Sequence, residues 1–73
     1  MQGRHLSDRE VACLHWSSVG KTSRETGLIL GVTERTVNFH IGNVCHKLGV
    51  NNRGAAIAIA VRQRLLPVLV TEP

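Results

Sequence analysis

Aromatic side chains are nearly absent: the chain has no tyrosine, one tryptophan, Trp16, and one phenylalanine, Phe39. The position of that single Phe is therefore informative. Cysteine is scarce as well. Cys13 and Cys45 are too few for a disulfide framework. Both fall inside helical patterns, where a lone Cys acts as a small hydrophobe, so a reducing compartment, the cytoplasm, is expected. No apolar run is long enough to span a bilayer, and nothing reads as a signal peptide. The apolar stretch from Ala55 to Ala60 is mostly alanine and is bounded by Arg53 and Arg62. Internal repeats and low-complexity segments are missing. So are a Ser-His-acid arrangement, a paired carboxylate and a phosphate-cradling glycine loop, so no enzyme and no cofactor are expected. Cys13, His15, Cys45 and His46 are zinc-ligand types. Adjacent helical residues such as Cys45 and His46 diverge by about 100°, and Cys13 and His15 by more, so no metal site is expected.

What is present describes one small folded domain. Hydrophobic residues make up 42% of 73 positions, too many for a disordered chain. Nine Lys and Arg outnumber five Asp and Glu, giving a formal charge of +4. That balance suits a polyanionic partner, although it serves solubility equally well.

The local signals predict an all-α domain. Ser7-Asp8-Arg9-Glu10 is a capping box, with Leu6 and Val11 placed as its hydrophobic staple. A first helix is expected over Asp8 to Ser18, with Val11 and Leu14 inward and Ala12, Cys13 and Trp16 along the edges, stopping before Gly20. Thr22-Ser23-Arg24-Glu25 repeats the capping pattern and opens a second helix, Ser23 to Leu30, which Gly31 ends by adopting positive φ. Thr33 caps a third, Glu34 to Leu48, stopped by Gly49. Asn52 caps a fourth, expected from Arg53 to Leu66 because Pro67 forbids continuation. Only Gly31, Val32 and Thr33 separate the second helix from the third. So short a link forces the sharp angle of a helix-turn-helix. Gly27 falls where the third helix crosses the second and a large side chain does not fit. Leu30, Val32, Val37 and Ile41 supply the apolar groups that the two helices and the turn share. Residues 1–5 read as a disordered N-terminal segment and 67–73 as a tail, in which Val68-Leu69-Val70 is a short strand signal.

In the third helix Val37, Ile41, Val44 and Leu48 form one buried stripe. Arg35, Phe39, Gly42 and His46 then point outward, with Asn38 on one flank and Thr36, His40, Asn43 and Lys47 on the other. A DNA major groove admits a helix, and Asn pairs bidentately with adenine, Arg with guanine, and an exposed Phe with a thymine methyl. A glycine on that face lets the backbone approach. The free amides opening the second helix suit a phosphate. Lys21, Thr22, Ser23 and Arg24 cluster there, and Arg35, Thr36, Lys47 and Arg53 can grip the DNA backbone on either side.

"LSDRE", then "W" and "GKT", then "ILGVTERTVNFHIGNVCHKLGVNNR" with Ala56 following, closely resemble the LuxR-type DNA-binding domain over about residues 6 to 66. Trp16 and "TVNFH" are most similar to its quorum-sensing branch, as are Glu10, Leu14 and Gly20. The resemblance implies a four-helix domain whose third helix is the recognition helix, with Asn38, Phe39 and Gly42 facing bases. It also implies a homodimer through the last helix, for which Ile57, Val61 and Arg64 are the candidates. Departures are Thr26 in place of an aliphatic residue, Gly27 where Ala is commoner, Gly42 where a long polar side chain is common, and Arg64 in place of a Gly. The expected function is a sequence-specific DNA-binding transcription regulator, or its excised carboxy-terminal domain. Its partners are double-stranded DNA, a second copy and RNA polymerase, with no membrane, and with a small-molecule signal only if a separate sensor domain exists. The competing expectation is a helical protein-interaction module on the same scaffold, resembling an anti-activator.

Overall fold

The computed structural model describes residues 5–66. They form helices α1 (Asp8–Ser18), α2 (Ser23–Leu30), α3 (Glu34–Leu48) and α4 (Arg53–Arg62), with no strand among the described residues. Residues 1–4, and 67–73 with the strand signal of Val68-Leu69-Val70, lie outside them.

Each helix starts where a side chain satisfies free amides. Ser7 Oγ accepts from the Glu10 amide while Glu10 Oε1 accepts from the Ser7 amide. Thr22 and Glu25 repeat the exchange. Thr33 Oγ1 accepts from the Thr36 amide, and Asn52 Oδ1 from the Ala55 amide. Caps of this kind each contribute about 1 kcal/mol. Gly31 and Gly49 close α2 and α3 at φ of 74° and 71°.

The core joins Leu6, Cys13, Leu14, Val37, Ile41, Val44, Leu48, Ala56 and Ala60. α3 is central to it and packs on all of α1, α2 and α4. Leu30 and Val32 pack on it from the turn, half-buried. Thr26, where an aliphatic residue is usual, is itself fully buried.

Two expectations change. α1 turns Leu14 inward as expected, but with Glu10 and Cys13 buried beside it, while Val11 packs on the core half-buried. The rotation is possible because Glu10 meets a cation inside, described below. Burial also pushes the Cys13 thiol up, against weaker pulls from Arg9 and Arg53, which leaves it a packing group. Secondly, α4 ends at Arg62, not Leu66. The chain turns back through Arg64 at φ 58°, with the Leu65 amide bonded to the Ala60 carbonyl and the Arg64 amide to the Val61 carbonyl. This is the left-handed position that glycine normally fills, so the replacement noted in the sequence leaves the turn in place but puts a side chain in a strained conformation.

Candidate nucleic-acid interface on the third helix

With its stripe buried, α3 presents the opposite side to solvent. Phe39 is 63% exposed. Arg35, Asn38, Gly42 and His46 are exposed with it, and Thr36, His40 and Asn43 are half-exposed. The Phe39 ring meets the edge of the His40 ring, 5.6 Å between centroids. Full burial of a Phe side chain is worth about 1.5–3 kcal/mol, and at 63% exposure most of that is forgone. A Cβ built at Gly42 meets nothing within 4 Å, so no neighbour in the fold demands glycine there. Gly27 differs: its Cβ falls 2.6 Å from the Val32 carbonyl oxygen, so the α2–α3 crossing closes on that hydrogen.

The basic groups divide. Lys21 and Arg24 are exposed at the start of α2, with Thr22 beside them. Thr22 Oγ1 is occupied by the Glu25 amide. Bonds from the Thr22 amide and hydroxyl hold the exposed Glu25 carboxyl below its ordinary range. Lys47 is committed elsewhere: its Nζ donates to Glu10 Oε1 at 2.7 Å and to the His5 carbonyl at 3.2 Å. Its ammonium is thus paired within the fold, to α1 and to the segment before it. His5 is correspondingly tied to α3 through its carbonyl. For Glu10, burial raises the carboxyl pKa, but Lys47 and the Ser7 amide outweigh it and hold the carboxyl below its ordinary range.

Ser23 is buried, and its hydroxyl does not face solvent. It donates to Asn38 Oδ1 at 2.6 Å and accepts from Arg53 Nη2 at 2.5 Å, while Arg53 Nη2 also reaches Asn38 Oδ1 at 3.4 Å. α2 and α4 do not pack on each other directly; this bond bridges them across the flank of α3. Sequence reading found the three residues separately and missed their network, as it missed the Glu10–Lys47 pair. No local signal exists for contacts 15, 30 or 37 residues apart.

On α4, Ala56 and Ala60 are buried, Ile57 and Ile59 half-buried, and Val61 is 60% exposed. Arg64 is exposed beyond it. One side of α4 thus serves the core and another stays open.

Residues 4–60 match the model of a family described as bacterial regulatory proteins, luxR family. The chain belongs to the luxR family. It is a family of DNA-binding transcription regulators and not of enzymes. Among similar proteins, the transcriptional activator protein ExpR of Dickeya dadantii is 55% identical over 61 residues, 84% of this chain and 24% of its own length. The transcriptional activator protein AhyR of Aeromonas hydrophila is 54% identical over the same coverage. YukR of Yersinia ruckeri is 54% identical over 66 residues, 89% of this chain and 29% of its own. The chain thus spans about a quarter of the relatives' length. The solved transcription factor GerE superposes with a TM-score of 0.80 at 31% identity, covering 85% of this chain and 92% of that one. No described helix is long and apolar enough to cross a membrane.

Proposed function

We propose that this chain is the sequence-reading part of a transcription regulator and that α3 enters the DNA major groove. The observation that carries the reading is the outward face of α3, where the exposed Phe39 stands beside Arg35, Asn38 and an unobstructed Gly42. Those residues contact base edges. Lys21, Arg24, Thr36 and Arg53 grip phosphates, with the amides opening α2 at Thr22 and Ser23 contributing through the helix dipole. Two copies bind a two-fold site through α4, with Ile57, Val61 and Arg64 at the contact and half-sites about one helical turn apart.

The relatives named above are transcriptional activators, and by extension RNA polymerase is the partner of the intact regulator, in the cytoplasm. Their greater length leaves room for a separate sensor of a small-molecule signal, in keeping with a quorum-sensing role.

Selection of bound duplexes from a random pool tests this. A two-fold motif is expected, with affinity falling steeply as salt rises. Asn38→Ala flattens preference at one base pair, costing about 1–3 kcal/mol of discrimination, and Lys21→Ala weakens all sequences alike. A folded chain that retains no duplex at low salt would falsify the reading.

A further inference from the structure

Bidentate pairing with adenine needs both atoms of an Asn amide, one to donate and one to accept. In this structure the accepting atom of Asn38 is occupied. Oδ1 takes the Ser23 hydroxyl at 2.6 Å and lies 3.4 Å from Arg53 Nη2. Turning the amide round would set Nδ2 against Arg53 Nη2, donor against donor. Arginine has five donors and no acceptor, so the amide atom facing it must be the oxygen. Nδ2 then points away from the network and makes no hydrogen bond among the described residues.

We propose, building on the DNA-binding reading, that Asn38 reads the groove as a hydrogen-bond donor only, and that Ser23 and Arg53 are positioning residues locking it in that state. Three helices cooperate in the lock. Ser23 comes from the first turn of α2, Asn38 from α3 and Arg53 from the first turn of α4. Ser23 is buried, so its hydroxyl stays in the network when DNA arrives. Arg53 keeps its other guanidinium donors for a phosphate and so ties the backbone grip to the orientation of the reading amide.

The chemistry selects a base. Guanine shows two acceptors in the major groove, N7 and O6; thymine shows O4; cytosine shows only its amino donor. Adenine offers N7, but its amino group meets no acceptor on Asn38. The base beneath Asn38 is therefore guanine, with two acceptors, ahead of thymine, with one; adenine's amino group goes unanswered and cytosine offers no acceptor.

The test uses the whole chain and duplexes from the random-pool selection. The pair that Asn38→Ala flattens locates the site. At that pair the native chain is expected to bind guanine at least about tenfold tighter than adenine, and 2-aminopurine, which keeps N7 but lacks O6, to bind about as weakly as adenine. Ser23→Ala removes the nearer donor, and Ser23→Ala with Arg53→Ala removes both and frees the carbonyl. The guanine-to-adenine ratio then shifts toward adenine at this pair alone, with preferences elsewhere unchanged. A residue holding up the fold alone would weaken every position equally. The proposal fails, and the DNA reading stands, if native protein prefers adenine there, or if the folded double variant keeps the native ratio. It fails together with that reading if the native chain binds no duplex. The native and 2-aminopurine arms decide the matter even if the variants do not fold.

Discussion

Gly27 and Gly42 are both helix-interior glycines, and both weaken their helices relative to alanine. Their surroundings are opposite. Gly27 lies in the crossing of α2 and α3, where a methyl group would meet the Val32 carbonyl oxygen at 2.6 Å. Gly42 lies on the outward face of α3 with open space around it. The first glycine is required by packing. The second has no such reason within the fold. The same division runs through α3 as a whole: Val37 and Val44 are shut away, while Phe39 stands in water.

The sharpest way to break this comparison is at the crossing. Gly27→Val should cost about 3 kcal/mol or more, because backbone must move to admit it, and thermal unfolding should find most of the chain unfolded. Next, Val44→Ala on the buried stripe should cost about 2 kcal/mol in urea unfolding. Third comes the ion pair between α1 and α3. The Glu10 carboxyl is held below its ordinary range when folded, so the pair's stabilisation is complete above that range and disappears as pH falls through the lowered value. Glu10→Gln should lower the melting temperature near neutral pH and make its decline in acid shallower than in the native chain. Fourth, Gly42→Ala should stabilise the fold by about 0.5–1 kcal/mol, while binding to the selected duplex weakens. A loss of stability there would end the claim that this glycine serves an outside partner. Smallest, Phe39→Ala should shift unfolding by less than about 0.5 kcal/mol, and its effect should appear in duplex affinity.

Much of this was legible before any coordinates. Ser7, Thr22, Thr33 and Asn52 cap the helices they were expected to cap. Val37, Ile41, Val44 and Leu48 are the buried stripe of α3. The expected rotation of α1 differed because Glu10 reads as a surface capping residue, and nothing nearby announces its partner Lys47. The expected end of α4 differed because Pro67 marks the last residue a helix can reach, whereas Arg64 turns the chain earlier. The lock on Asn38 was invisible for a related reason: an amide's two ends look alike in a sequence, and only a neighbouring guanidinium decides which faces outward.

Sequence alone determined the helices, their starts, their glycine stops and the inward side of α3. All of these arise from bonds and periodicities spanning about four residues, which neighbouring side chains settle among themselves. Tertiary structure decided which polar groups remain free on the outer face. Lys47 was drawn inward by Glu10, and Asn38 kept its amine while its carbonyl went to Ser23 and Arg53. Those partners lie 15 to 37 residues away along the chain, and they meet only because α3 packs against all three other helices at once.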